Sequence, residues 1–172
     1  MLGGEPLKVL LRIGGSILIC LILLLLAARI NGFEPKDCSP FNRSLSCRLP
    51  GLWLKGQVVT TPVTDWSFTD KIPQIKIQTQ TPYLLPLSVT IWCAVYNGDL
   101  YISSNPGKQW NADILRNPRV RLKIGDNLYD RTLLPITDPA EKTAVLQVKG
   151  KKYPEWKVPP ADKATVYRVM PG

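Results

Sequence analysis

From Ile13 to Ala28 the chain runs sixteen residues without a charge (IGGSILICLILLLLAA), with Lys8 and Arg12 just before and Arg29 just after. At about 1.5 Å per residue, this run together with Ile30 and the apolar Val9–Leu11 reaches the roughly 30 Å of a bilayer core. Backbone groups in lipid need internal partners, so the segment is expected to be helical. A cleaved signal peptide shares the charged start and apolar run, but no small-x-small cleavage site precedes a natural mature end. Ile19 before Cys20 does not suit a lipoprotein signal either. The expected organisation is a tail over 1–12, a transmembrane anchor over 13–30, a linker over 31–56 and one domain over 57–172.

Which side the domain faces depends on charge and on cysteines. Lys8, Arg12 and the terminal amine favour the amino end inside, whereas Arg29, Lys36, Arg43 and Arg48 pull the other way under the positive-inside rule. Cys38 and Cys47 bracket a short polar loop (SPFNRSLS) that a disulfide can close, a link worth roughly 2–3 kcal/mol in an oxidising compartment. Two free thiols in a linker are the alternative. The expectation is a single-pass protein of the inner membrane with its domain facing outward, towards a periplasm.

The absence of histidine from the 172 residues removes Ser-His-Asp triads, His-ligated haem and most zinc-enzyme sites. The four cysteines show no Cys-x-x-Cys spacing, and no metal site is expected. Lys and Arg exceed Asp and Glu by 22 to 13, spread along the chain with no nucleic-acid-binding motif, so nucleic acid is not an expected partner.

Beyond Gly51, short apolar runs alternate with Pro, Gly, Asn and Asp. Gln57–Thr61 is β-branched, and Gln74–Thr81 alternates strictly, with Ile75 and Ile77 on one face. Leu84–Tyr96 is nearly all apolar, as suits a central strand covered on both sides. Asn97-Gly98 signals a tight hairpin into Asp99–Ser103. Lys108–Arg116 can make two helical turns with Trp110 and Ile114 on one side, stopped by Asn117-Pro118. Arg119–Ile124 alternates again, with Val120, Leu122 and Ile124 inward. Gly125-Asp126-Asn127 turns the chain into Leu128–Ile136. Asp138-Pro139 followed by Glu141 starts a helix over 138–148, and Thr165–Met170 closes as a strand. The fold class is therefore mainly β: a small antiparallel barrel with two short helices, preceded by one N-terminal transmembrane helix.

The block SVTIWCAVYNGDLYISSNPGKQWNADILRNPRVRLKIGDNLYD resembles the split β-barrel family of flavin and deazaflavin binders, which includes pyridoxamine-phosphate-oxidase-like proteins and deazaflavin-dependent nitroreductases. The matching features are the apolar strand, the Gly-Asp hairpin into Leu-Tyr-Ile-Ser-Ser, a loop lysine, an amphipathic helix, and Asn117-Pro118-x-Val120 opening a basic strand. The resemblance implies FMN or a related flavin or deazaflavin. Its phosphate would lie near Ser103, Ser104 and Lys108, at a helix start whose free N–H groups also favour an anion. Trp110 would lie against the ring, and Ser88 and Thr90 would meet its edge. It also implies a homodimer, or a subunit of a membrane complex, passing hydride or electrons to a small acceptor. Tyr83-Leu84-Leu85-Pro86-Leu87 lacks the early-strand cation usual in the family, and the Gly-Arg-x-Ser-Gly stretch of the deazaflavin branch is absent. A cofactor-free barrel acting as a membrane-tethered binding or assembly subunit stays open beside this reading.

Three further features have competing readings. Arg119, Arg121 and Lys123 form either a solvated strand face or a contact with anionic lipid. Cys93, in the most apolar run, reads as a buried and unreactive thiol. Asp65-Trp66-Ser67-Phe68 reads as a plug at one end of the barrel, or as the lining of a ligand mouth.

Overall fold

The computed structural model describes residues 5–37, 49–83, 85–104 and 107–172. Helix α1 (Glu5–Asn31) covers the apolar run, and its span Lys8–Asn31, of mean hydropathy 2.7, has none of its length buried against protein. Among the described residues it is the one helix long and apolar enough to cross a membrane.

The rest is a curled sheet. Its strands are β1 (Gln57–Val58), β2 (Ile75–Thr79), β3 (Leu87–Ile91), β4 (Cys93–Tyr96), β5 (Asp99–Ser104), β6 (Arg119–Ile124), β7 (Asn127–Pro135) and β8 (Thr165–Pro171). The order is β3-β2-β6-β7-β8-β5-β4, antiparallel throughout, with β1 alone pairing in parallel against the start of β7. The two ends of that order, β3 and β4, are successive pieces of one stretch interrupted only at Trp92. A sheet whose opposite edges are joined by a single residue must curl round on itself, and this makes a split barrel. The apolar run Leu84–Tyr96 is thus not a central strand. It supplies both edges, pairing with β2 through its first half and with β5 through its second.

Alternation along the strands fills the barrel. Ile75 and Ile77 of β2, Val120, Leu122 and Ile124 of β6, and Leu100 and Ile102 of β5 are all buried in one cluster. The turns follow their chemistry. Asn97 and Gly98 both have positive φ (54° and 83°), as a two-residue hairpin of that hand requires. Gly125 (φ 60°) opens the equally tight turn between β6 and β7.

Helix α2 (Gln109–Arg116) buries Trp110 and Ile114 as their spacing predicts, and adds buried Asp113, which binds Arg116 (2.5 Å) and accepts from Thr79 of β2 (3.1 Å). Helix α3 (Pro139–Lys152) begins where expected, with the Asp138 carboxylate accepting from the N–H groups of Ala140 and Glu141, but runs four residues beyond the expected end. It packs Val145 and Leu146 against Tyr101 and Val166 in a second, smaller core on the outside of the sheet. Trp66 is buried in the main core, meets Phe68 (5.8 Å between centroids) and the edge of Tyr129 (5.3 Å), and also lines a cavity with Asp99, Arg131 and Arg168, so both the plug and the mouth readings stay open.

Candidate functional site

The expected phosphate corner is not assembled as a unit. Adjacent residues on a strand point to opposite faces, and Ser103 and Ser104 are the last two residues of β5. Ser103 faces α3, where its hydroxyl accepts from the Lys149 ammonium at 2.6 Å. Ser104 is buried on the other side. Lys108 sits exposed at the cap position before α2, so the cation beside Ser103 is Lys149 rather than Lys108. Trp110 is only 8% exposed within the main core, and core packing occupies its ring.

Ser88 and Thr90 lie under the strap that follows α1. Gly51 exchanges backbone hydrogen bonds with Ser88 (2.8 and 2.9 Å), and the Thr90 hydroxyl donates to the Lys36 carbonyl at 3.3 Å. The Ser88 hydroxyl is fully buried, with no hydrogen-bond partner among the described residues. Cys38 and Cys47 lie outside the described residues. Cys93 is enclosed in the barrel, and burial pushes its thiol pKa up, against the pull of Lys152 and Lys149. That matches an unreactive core thiol.

The structure instead gathers a basic cleft that local sequence patterns do not reveal. A cavity of about 520 Å³ is lined by Arg29 at the end of α1, Trp53, Gln78 and Gln80, Arg119 and Arg121 of β6, and Asp130, Arg131 and Thr132 of β7. Its size falls within the roughly 300–1,000 Å³ usual for small-molecule sites. Arg121 is neutralised in place by Asp130, through paired contacts of 2.7 and 2.8 Å. This holds the Asp130 carboxyl below its ordinary pKa, and Asp130 raises that of Arg121 in return.

The other guanidiniums differ. Arg29 lies over the Trp53 ring (5.9 Å), and neither Arg29 nor Arg119 meets a carboxylate within ion-pair distance among the described residues. Arg131, register partner of the core residue Val120, turns instead to the other face of β7, over Trp66 and Tyr129 (5.5 Å each), with its guanidinium donating to the Asp130 carbonyl at 2.7 Å. Burial lowers the pKa of Arg131, yet a guanidinium remains protonated across the physiological range. The amides have partial engagements: Gln78 Oε1 accepts from the Leu54 N–H (2.8 Å) and Gln80 Oε1 from Asn117 Nδ2 (2.5 Å). Arg29 and Arg119, outside any ion pair among the described residues and beside an aromatic face and two amides, suit a phosphorylated, flat, polar-edged ligand.

Neither a protein-family profile nor a curated protein matches the chain. Solved structures do. A conserved hypothetical protein from Mycobacterium tuberculosis aligns at a TM-score of 0.52 and 18% identity, over 61% of this chain and 76% of that one. A candidate 5-nitroimidazole antibiotic resistance protein from Bacteroides thetaiotaomicron aligns at 0.50 and 17%, over 69% and 86%. A candidate pyridoxamine 5'-phosphate oxidase from Listeria innocua aligns at 0.50 and 14%, over 61% and 88%. At these identities the likeness is one of architecture, and the fold this chain shares with them is the split β-barrel.

Proposed function

We propose that this chain is a membrane-anchored redox protein of flavin type. It would hold FMN or a related flavin or deazaflavin in the arginine cleft and serve a small acceptor. The observation that carries the reading is the pair of Arg29 and Arg119, two guanidiniums outside any ion pair among the described residues, lining one cavity of about 520 Å³. The fit is chemical: guanidiniums bind phosphate with paired donors, and Trp53 with Gln78 and Gln80 offers a face and an edge for a ring. When bound, a flavin supplies the hydride or electron chemistry, so the lack of histidine is no obstacle. The residues of the chain bind and orient. Arg119 would hold the phosphate, while the Arg121–Asp130 pair keeps the floor of the cleft rigid and neutral.

The proposal includes α1 as a single-pass anchor in an inner membrane, the barrel on its outward side, and a second copy of the chain as partner. A cofactor-free tethered binding subunit is the rival, favoured by the engagement of Ser103 with Lys149 and by the burial of Trp110. Visible absorbance of the detergent-purified protein, alone and after addition of FMN, separates the two. Retained flavin, with affinity lost by roughly tenfold or more in Arg119→Gln, is the expected result for a charge-assisted phosphate contact. A colourless protein indifferent to added FMN defeats the flavin reading.

A further inference from the structure

The strap joining anchor to barrel has almost no slack. After Asn31, whose side chain donates back to the Ala27 carbonyl (3.0 Å), Gly32 turns the chain with a left-handed φ of 79°. The next residue is already paired: the Phe33 N–H donates to the Trp53 carbonyl (3.0 Å), and the Leu52 N–H donates to the Phe33 carbonyl (2.6 Å). Arg29, on the last turn of α1, is therefore four residues from a fixed point on the barrel, and its guanidinium lies over the same Trp53.

Glu34 adds an electrostatic lock. Lys76 of β2 and Lys123 of β6 are register partners, an arrangement in which like charges repel. Glu34 enters between them, 2.6 Å from Lys123 and 3.1 Å from Lys76, and also accepts the Lys55 N–H at 2.8 Å. Asp37 reaches Lys76 as well, at 3.2 Å. The three side chains of the lock are 13–20% exposed, so solvent screens it less than an ordinary surface pair. One step along the same face of the same strands, the next in-register pair is Gln78 and Arg121, both in the lining of the cleft. The lock thus holds the strap against the two strands that form the cleft floor.

We infer that the anchor helix contributes a binding group to the barrel: Arg29 completes the phosphate site of the arginine cleft, and Glu34 is the positioning residue that latches it there. This rests on the phosphate reading of the cleft. It makes the site a joint product of membrane segment and domain, so that the barrel holds phosphate fully only when docked on its anchor.

The test uses the full chain in nanodiscs of neutral phosphatidylcholine, titrated with FMN, riboflavin and inorganic pyrophosphate by calorimetry and tryptophan fluorescence. Arg29→Gln is expected to weaken FMN and pyrophosphate by about tenfold, with riboflavin unchanged. Glu34→Gln lies outside the apolar span and does not alter insertion. It should weaken the same two phosphate ligands by a smaller factor, again sparing riboflavin, with an unchanged circular dichroism spectrum. Arg29→Lys should recover part of the loss. If Arg29→Gln and Glu34→Gln bind FMN like the parent while Arg119→Gln loses it, the cleft stands and the role of the anchor is overturned. If all three variants bind like the parent, the cleft reading itself falls, and this inference falls with it.

Discussion

Lys149 holds its charge in a place where little compensates for it. The residue is 5% exposed, with its ammonium 2.6 Å from the Ser103 hydroxyl and 4.4 Å from the centre of the Trp156 ring. Burial pulls its pKa down to about 8, partly offset by Cys93. Lys152 and Tyr153 flank it on the same helix turn. Lys152 lies 3.9 Å from the Cys93 sulfur, and Asp70 acts on both that thiol and Tyr153. Because the folded pKa lies below the unfolded one, the unfolded chain binds more protons as pH climbs above 8, and stability from this group rises there. Cys93, shifted upward, acts oppositely once its unfolded thiol ionises near 9, so the rise is cleanest between these two values. Lys149→Met is expected to stabilise the protein at neutral pH by about 1–3 kcal/mol and to flatten that rise, read by chemical denaturation across the window. A destabilised variant would mean that the Ser103 and Trp156 contacts outweigh desolvation. The same corner shows what a linear reading of neighbouring hydroxyls leaves out. Two neighbouring hydroxyls look like a cradle in a sequence, but on a strand they serve opposite faces, and the lysine that reaches Ser103 lies 46 positions away. Arg119 and Arg121 were visible as a basic alternation. Arg29, Trp53 and Arg131 were not, because only the tertiary fold brings three distant segments to one cleft.

Elements whose burial pattern is local were legible: β2 and β6 from strict alternation, the hairpin from Asn97-Gly98, and the start of α3 from Asp138-Pro139. What failed was anything set by closure. Leu84–Tyr96 reads as one apolar run, yet β3 and β4 are opposite edges of the split barrel, and Trp92 marks the break between them with its ring stacked on Tyr153 at 4.5 Å. Gln57–Thr61 looked like a full strand, yet only Gln57–Val58 pairs, because β8 takes over along β7 from Arg131 onward. The strap is an element in its own right, and Gly51 is its seat. A Cβ there would come within 2.5 Å of the Phe33 carbonyl oxygen and of the Ser88 hydroxyl oxygen, and within 2.6 Å of Pro35. Backbone cannot yield cheaply at that distance, so Gly51→Ala is expected to cost about 1–3 kcal/mol, as overpacking does. It should also weaken FMN binding through Arg29, much as Glu34→Gln does. A thermal melt combined with the FMN titration checks both effects, and a variant equal to the parent in each would show that the strap is not held by its fit to Gly51.

At the scale of the molecule, the unburied 24-residue span of α1 and the formal charge of +9 act together. If α1 spans a bilayer as proposed, the short strap keeps the basic cleft close to the lipid headgroups. Anionic headgroups would compete there for the same guanidiniums, each nearby cation contributing about 1 kcal/mol of attraction. Flavin affinity in anionic nanodiscs should therefore fall below that in neutral ones, and recover with salt less fully for the latched parent than for Glu34→Gln. The side of the membrane is a separate matter that chemistry can read directly. If the barrel faces an oxidising compartment, Cys38 and Cys47 are joined across their short loop. In native membranes neither should then react with a membrane-impermeant maleimide until a reductant is added, after which both should label in intact cells. Cys93 should stay silent in both conditions, because it is enclosed in the core and burial keeps its thiol protonated. Labelling of both linker thiols without reductant, and only after the cells are broken open, would place the barrel on the reducing side. The acceptor served by the cleft would then have to be sought among molecules of that compartment.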